Sequence, residues 1–273
     1  MGSKFSVLMS IYHKEEICHF DRAMRSIWHD QTIRPSEIVL VKDGPLTPEL
    51  DQVIEIWKQQ LKEILKIVSI EKNSGVGNAK HVGIKACSNE LIAVMDTDDV
   101  SLPHRFEKQL AIFNSQDIDV CGAWVGEFAD NEELIASYRR TPEKHDEIVA
   151  FAKSRSPVNH PTTMYKKTSV LNAGNYAKYR TSEDYNLFVR LIMSGAKLYN
   201  IQEPLVNMRT GNNQEARRGG LKNAVLEAGV QKEFYNLGFL NFYELCRNVS
   251  IGFLIRILPS TLLKVVFRMI RKL

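Results

Sequence analysis

The chain has 273 residues, of which 44% are hydrophobic and 25% are charged. This length and composition are those of an ordinary globular protein of one large domain or two small ones, and they exclude a disordered or fibrous chain. The four cysteines stand far apart without metal-type spacing, which predicts reduced thiols rather than a disulfide framework. They are Cys18, Cys87, Cys121 and Cys246.

The net charge of +4 is unevenly placed along the chain. Between positions 247 and 273 there are six basic residues and no acidic one, so the remainder carries 30 basic and 32 acidic residues, a net charge of −2. A near-neutral body argues against nucleic-acid binding, whereas a basic tail indicates a separate partner for the tail.

Apolar periodicity predicts alternating strands and helices over the first hundred residues. Strands are expected at 5–10, 37–41, 66–70 and 90–95, and helices at 17–30, 48–65 and from Gly77 to about Cys87. Such alternation implies an α/β fold with a mostly parallel sheet and helices on both faces.

The pattern changes in the second part of the chain. Helices are expected at 102–114, 143–153 and 183–193, strands at 118–124 and 197–201, and polar loops at 154–163 and 207–220. The segments 221–240 and 241–273 are helical in pattern and predict a C-terminal helical extension.

The segment 91–95 is apolar and leads directly into Asp96, Asp98 and Asp99. Ligands of open α/β sheets bind just beyond the carboxyl ends of the strands. Crowded carboxylates repel one another unless a cation lies between them, and hard divalent ions prefer oxygen ligands. We therefore predict a metal–diphosphate site at Asp96, Thr97 and Asp98. The alternative is a strand followed by an Asp-rich turn or helix cap.

Three further segments carry candidate functional residues, each with a plainer structural alternative. Asp43 follows a strand and could accept a hydrogen bond from a base or ribose, although turn aspartates are common. The glycine-rich segment 73–83 opens a helix, whose free N–H groups attract phosphate. Glu183 and Asp184 begin another helix, where acids either complement the helix dipole or serve as a general base.

Five motifs in this order and spacing resemble the inverting glycosyltransferases of family 2, which have the GT-A fold. The resemblance covers residues 4–210. Its marks are Val7–Tyr12 at the first strand, Val39–Gly44, Asn73-x-Gly75-x-Gly77-x-Ala79-Lys80, Met95–Asp99 followed by Pro103, and Ser182–Tyr185.

The resemblance implies a nucleotide-diphosphate sugar, usually UDP-linked, bound by the first half of the chain. Tyr12 would line the uracil pocket and Asp43 would bond the uracil ring. Lys80, where the family often has Arg, would lie near the base or phosphate. Asn73 and Gly75 of the glycine-rich turn would also belong to the donor site.

By the same resemblance, Asp96 would contact the ribose or a metal-bound water, with Thr97 beside it, and Asp98 would coordinate Mn²⁺ or Mg²⁺. Many relatives have a His after an Arg where this chain has Thr210. We therefore expect carboxylate, diphosphate and water to complete the metal site. His81 stands where Asn is frequent.

For the acceptor side, the resemblance implies that Asp184 is the catalytic base and Glu183 its support. His160 and Tyr185 are the candidate acceptor contacts. The implied domain organisation is a nucleotide-sugar-binding half at 1–100, an acceptor-binding and catalytic half at 101–215, and a basic amphipathic helical region at 216–273. The polar loop 209–218 would close over the donor and exclude water.

The implied reaction moves a hexose, galactose or glucose, from a UDP-sugar to a sugar on a polyprenyl diphosphate in O-antigen or surface polysaccharide synthesis. A single displacement would form a β-glycosidic bond. The segment 251–273 lacks the ~18 consecutive apolar residues of a spanning helix. A basic amphipathic helix suits an anionic membrane surface, although a helix packed on the domain is the alternative. With no evident signal peptide, we expect a cytoplasmic protein, peripheral on the inner face of the plasma membrane.

Two other classes of protein remain possible from the residues. A haloacid-dehalogenase-like phosphatase would use Asp96 as a nucleophile, but its acid motif normally lies on the first strand and its later Gly-Asp motif does not occur in this chain. A non-catalytic nucleotide-sugar-binding protein would be expected to lack the metal acids or the base.

Overall fold

The computed structural model describes residues 4–177, 182–210 and 220–257. Its first half alternates strands and helices as the sequence predicts. The elements are β1 (Phe5–Ile11), α1 (Ile17–Trp28), β2 (Glu37–Asp43), α2 (Pro48–Leu61), a 3-10 turn (Lys62–Ile64), β3 (Leu65–Ile70), α3 (Val76–Ala86) and β4 (Leu91–Val94).

The second half mixes short strands with helices. Its elements are β5 (Val100–Ser101), α4 (Arg105–Ser115), β6 (Val120–Phe128), β7 (Ser137–Arg139), α5 (His145–Ala152), a 3-10 turn (His160–Thr162), β8 (Met164–Lys166), α6 (Lys167–Asn172), α7 (Glu183–Met193), β9 (Leu198–Arg209), α8 (Leu221–Asn236) and α9 (Phe242–Ile257).

These strands form one sheet in the order β3-β2-β1-β4-β8-β6-β9-β5, with β7 paired to β6. The part from β3 to β4 is parallel, and β6 is parallel to β9. Strand β8 runs antiparallel to both β4 and β6, so the second half of the sheet is mixed. The fold is thus α/β, and the parallel half brings the carboxyl ends of β1, β2 and β4 to one edge.

Helices cover both faces of the sheet, as predicted. On one face, β1 packs with its alternate residues Phe5, Val7 and Met9 against α1, α2 and α4. On the other face, Leu8 and the β2 valines pack against α3 and α7. This alternation of side chains along β1 is the reason why two separate hydrophobic layers form.

The structure differs from the sequence prediction mainly in the second half. Strands β5, β7 and β8 have two or three residues each, too few to show a period of two, and none was expected. Strand β9 continues to Arg209 rather than ending at 201 because a β-bulge around Pro204 lets it stay paired with β6. Residues 207–209, expected in a polar loop, therefore lie in β9.

The C-terminal helices α8 and α9 dock on the α/β domain. Phe234 of α8 lies in a buried cluster with Tyr185 and Val189 of α7 and Ala152 of α5. No helix within the described ranges has the length and apolarity needed to cross a membrane. Positions 258–273, which hold most of the predicted basic tail, lie outside the described residues.

Gly83 allows α3 to approach the sheet closely, and its replacement by alanine provides a test of this packing. An added Cβ would lie 2.2 Å from Leu8 Cδ1 and 3.0 Å from Val41 Cγ2. We expect Gly83→Ala to lower the free energy of unfolding by about 1–3 kcal/mol through overpacking, measured by urea denaturation.

Gly229 in α8 is the matched control for this experiment, because a Cβ there would meet nothing within 4 Å. Gly229→Ala should raise the free energy of unfolding by up to about 1 kcal/mol through helix propensity. Equal effects of the two substitutions would show that α3 does not pack on β1 and β2 in this way.

Candidate active site

The acidic segment predicted to bind a metal follows β4 at the edge where the parallel strands end. The main chain at this point is fixed by hydrogen bonds from Met95 N to Leu8 O at 3.0 Å and from Val94 N to Thr163 O at 2.8 Å. The buried guanidinium of Arg105 donates to Val94 O at 2.6 Å. The main chain that carries the acids is therefore held by neighbouring segments and by the guanidinium of Arg105.

The three aspartates occupy different electrostatic environments. Burial disfavours the charge of Asp96, but Lys80 and His160 more than offset this effect, so its pKa is lowered. Burial, Asp96 and Glu15 together raise the pKa of Asp98 to about 6. An added cation beside Asp98 would therefore favour the charged form of this carboxylate.

Asp99 is buried and joins the acidic segment to the end of β9. It accepts a hydrogen bond from Arg209 N at 2.9 Å, and Arg209 Nε donates to Asp98 O at 3.2 Å. Burial and the neighbouring Asp98 and Asp96 raise the pKa of Asp99 well above its usual range. The Arg209 guanidinium also stacks on Phe128 at 4.6 Å. Residues 211–218 of the predicted closing loop lie outside the described residues.

Lys80 extends from α3 to Asp96 and is almost completely buried. Its Nζ donates to Asp96 Oδ1 at 3.0 Å and contacts His160 Nδ1 at 3.1 Å. Burial, and then the Lys80 charge, lower the pKa of His160 to about 4. His160 Nε2 lies 2.9 Å from the hydroxyl of Tyr176. The structure therefore brings together Lys80, Asp96 and His160, which come from three separate segments of the sequence.

Asp43 and the glycine-rich turn form a second group at the same sheet edge. The Asp43 carboxylate accepts from Ser74 N at 2.8 Å, Ser74 Oγ at 3.0 Å and Gly75 N at 2.9 Å. Asn73 Nδ2 donates to Asp43 O at 3.2 Å. Gly75 has φ +91°, a conformation that favours glycine, and forms the N-cap of α3. Tyr12 is partly exposed just beyond β1.

Glu183 and Asp184 begin α7, as predicted. Asp184 Oδ1 accepts from Tyr185 N at 2.7 Å. Burial and the adjacent Asp184 raise the pKa of Glu183, while Lys80 acts in the opposite direction. Asp184 in turn favours the charged form of His160. The acids at the start of α7 are therefore within electrostatic range of Lys80 and His160.

Tyr185 lies in a different environment from the acids that precede it. Its hydroxyl donates to Ala152 O at 2.6 Å, and its ring packs against Phe234 with 4.8 Å between centroids. Because the side chain is buried against α8, Tyr185 takes part in the packing of the C-terminal helices. Its contact with an acceptor stays a prediction from the sequence.

Sequence reasoning missed several residues that shape this site. Glu15 accepts a hydrogen bond from Thr97 Oγ1 and adds to the charge crowding at Asp98. Its position in the loop after β1 was an available signal, because that loop starts at the same sheet edge. Arg105 and Tyr176 gave no signal, since neither stands in a motif and their burial depends on tertiary packing.

The chain matches the family model described as Glycosyl transferase family 2 over residues 6–173. It is 33% identical to the UDP-Gal:alpha-D-GlcNAc-diphosphoundecaprenol beta-1,3-galactosyltransferase of Escherichia coli, over 94% of this chain and 93% of that protein. It is also 33% identical to the amylovoran biosynthesis glycosyltransferase AmsE of Erwinia amylovora, over 98% of this chain and 99% of that protein.

Solved structures agree with this relationship at the level of the fold. S. aureus TarS 1-349 in complex with UDP-GlcNAc superposes with a TM-score of 0.67 at 17% identity, covering 93% of this chain and 72% of that one. The chain spans only 43% of a longer TarS structure.

The fold and the matches together define a glycosyltransferase of the GT-A type. The chain belongs to glycosyltransferase family 2. The family and fold expected from the motifs are confirmed, and the phosphatase alternative is set aside.

Proposed function

We propose that the protein transfers a hexose, galactose or glucose, from a UDP-sugar to a sugar carried on a polyprenyl diphosphate, in the assembly of O-antigen or a related surface polysaccharide. The observation that supports this most directly is the ion pair of Lys80 with Asp96 at the carboxyl edge of the parallel strands, where both charges also act on Glu183 beside Asp184. The names of the E. coli and Erwinia relatives support the donor and acceptor classes.

The donor site is proposed at β1, β2 and the turn before α3. Asp43 accepts three hydrogen bonds from the protein, and a carboxylate has about four acceptor positions, so one remains for the uracil N–H. Tyr12 would flank the base, and the turn at Asn73 and Gly75 would shape the site. The complex of TarS with UDP-GlcNAc shows that this fold holds such a donor in that protein.

We propose that Asp98 and Asp96 hold Mn²⁺ or Mg²⁺ together with the donor diphosphate. The described residues contain no group of three or more His, Cys, Asp or Glu arranged to hold an ion. A site of one or two carboxylates completed by phosphate and water suits Mg²⁺, which keeps several waters. When bound, such an ion would offset the negative charge that develops on the departing UDP.

Asp184 is the proposed general base. As the acceptor hydroxyl attacks the anomeric carbon, Asp184 takes its proton, and inversion at that carbon converts an α-linked donor into a β-glycoside. Glu183 lies beside this base, and burial and the Asp184 charge raise its pKa. A single displacement requires no covalent intermediate, and therefore no second nucleophilic carboxylate.

We also propose that α8, α9 and the basic tail contact the inner face of the membrane peripherally. Within the described part of this region, 220–254, none of the exposed residues is acidic. The three acids there, Glu227, Glu233 and Glu244, are only partly exposed. Large apolar side chains are exposed instead, with Phe242 at 68%, Tyr243 at 74% and Leu254 at 69%. This surface, with the basic tail predicted after it, suits an anionic bilayer.

The first prediction concerns the reaction. Incubation with Mn²⁺ and a synthetic GlcNAc- or GalNAc-diphosphate-lipid should produce a mass gain of one hexose from UDP-galactose or UDP-glucose. Asp184→Asn should lower kcat by at least about a hundredfold, because general-base catalysis contributes that much, while UDP binding persists. Absence of UDP binding by the intact protein with Mn²⁺ would contradict the proposal, and full turnover by Asp184→Asn would reject this base.

The second prediction concerns the metal. Asp98→Asn should abolish the Mn²⁺ dependence of UDP binding measured by calorimetry, since it removes the proposed ligand at constant shape. Glu203→Gln is a suitable control, because Glu203 pairs with Lys108 at the surface. An unchanged response of Asp98→Asn to Mn²⁺ and EDTA would place the ion elsewhere.

The third prediction concerns the membrane. The triple variant Phe242→Ser, Tyr243→Ser, Leu254→Ser should co-sediment several-fold less with phosphatidylglycerol-containing vesicles than the intact chain, because it loses buried apolar area. Leu134→Ser is the control, since Leu134 is 70% exposed in the β6–β7 connection. Equal sedimentation of the triple variant and the intact chain would contradict the assignment of this surface.

A further inference from the structure

A hydrogen-bonded chain of buried polar side chains runs from the first half of the domain into its second half. It consists of Lys80, His160, Tyr176 and Tyr165, each of which is less than one tenth exposed. The contacts are 3.1 Å from Lys80 Nζ to His160 Nδ1, 2.9 Å from His160 Nε2 to the Tyr176 hydroxyl, and 3.2 Å between the two tyrosine hydroxyls. Buried polar groups destabilise the fold unless they have hydrogen-bond partners, and each of these four side chains has a polar neighbour in the series.

The direction of these hydrogen bonds follows from donor and acceptor chemistry. A lysine ammonium has three N–H donors and no acceptor, so His160 Nδ1 must accept. The imidazole is then neutral, with its proton on Nε2, and Nε2–H donates to the Tyr176 hydroxyl. Tyr176 can in turn donate to Tyr165. The closer ring contact of Lys80 is with Nδ1, because its distance to Nε2 is 3.5 Å.

Neighbouring contacts hold Tyr176 in place against α3. His81, which follows Lys80 on α3, contacts the main-chain carbonyl of Tyr176 through Nδ1 at 3.0 Å. Asn175 Nδ2 donates to His81 O at 3.0 Å. The segment 175–176 is therefore bound to α3 on two sides, and Tyr176 can orient His160 from a fixed position.

We propose that His160 is a positioning residue, which holds the Lys80 ammonium beside Asp96 through a neutral imidazole that Tyr176 orients. With one N–H on Asp96 and one on His160, the ammonium has a third N–H for an anionic donor group. This inference rests on the proposed function, since it assigns Lys80 to the donor diphosphate. It gives His160 a role in donor binding in place of the acceptor contact expected from the sequence.

Two isosteric variants separate the two ring contacts of His160. The Asn amide oxygen can occupy the position of Nδ1 and accept from Lys80, whereas the Gln amide extends to the position of Nε2. His160→Gln should weaken UDP binding with Mn²⁺ about tenfold, because it loses the hydrogen bond to the charged Lys80. His160→Asn keeps an acceptor for Lys80 and should therefore retain most of the binding. Tyr176→Phe should weaken binding less than His160→Gln, because only the orienting bond is lost.

The readouts are calorimetry with UDP, which needs no acceptor, and the Tm of each variant. His104→Gln is the control, since His104 is 61% exposed at the start of α4. A double variant, Lys80→Ala with His160→Gln, should bind UDP no more weakly than Lys80→Ala alone, because His160 acts through Lys80. Additive losses, or equal losses in His160→Asn and His160→Gln, would overturn the proposal.

A second readout is independent of nucleotide binding. Long-range ¹⁵N–¹H NMR of the intact chain at pH 7 should show His160 as the neutral tautomer protonated on Nε2. An Nδ1–H tautomer or an imidazolium would overturn the proposal even if UDP bound well. Conversely, the expected tautomer in a protein that failed to bind UDP would contradict the proposed function and leave the hydrogen-bond chain intact.

Discussion

Repulsion among the carboxylates that follow β4 is the constraint on which the rest of the site depends. Three aspartates lie within four positions at the edge of a largely buried sheet, and Glu15 adds a fourth acid nearby. The fold opposes this charge from several separate segments. Lys80 comes from α3, Arg105 from α4 and the main-chain N–H of Arg209 from the end of β9. Each of these contacts also fixes one element against the end of β4.

The opposing charges are distributed unequally, and this gives each acid a different character. Asp96 has a lysine partner and a lowered pKa, whereas Asp98 has two acidic neighbours and a pKa raised to about 6. Asp99 is buried and accepts a hydrogen bond from the main-chain N–H of Arg209. Sequence spacing alone treats the three as equivalent. Their environments instead differ, because Asp99 is tied to the end of β9 and Asp96 to α3, whereas Asp98, the proposed cation ligand, lies beside Asp96 and Glu15.

Much of the first half of the fold could be predicted because its signals are local. Strand β2 begins at Glu37 as the apolar periodicity indicates, although it ends at Asp43, two residues later than expected. The parallel arrangement of β1, β2 and β4 then places their ends together without further information. The second half was harder, because β8 has three residues and its position between β4 and β6 is set by pairing, not by its own pattern.

Residue roles that depend on distant packing could not be read from motifs. Tyr185 directly follows the predicted base, yet its ring faces Phe234, a residue 49 positions later whose helix has no spacing signal that pairs it with α7. Arg105 looks in sequence like an ordinary charged residue at the start of a helix. Its guanidinium is nevertheless buried beneath the acids, and burial lowers its pKa to about 9.

The packing of Tyr185 also relates the proposed membrane-contact surface to the proposed catalytic base. Phe234 of α8 contacts the residue next to the proposed base, and Gln231 of α8 accepts from Asn248 of α9 at 2.8 Å. Helices α8 and α9 are thus joined to each other and to the start of α7. If these helices rest on the bilayer, the distance from the lipid surface to Asp184 is set by a packed core rather than by a linker. An acceptor on a polyprenyl diphosphate has its sugar at a fixed height above the membrane. A rigid connection of this kind would hold the proposed base at that height, so that binding to the membrane would also bring the acceptor hydroxyl to the base.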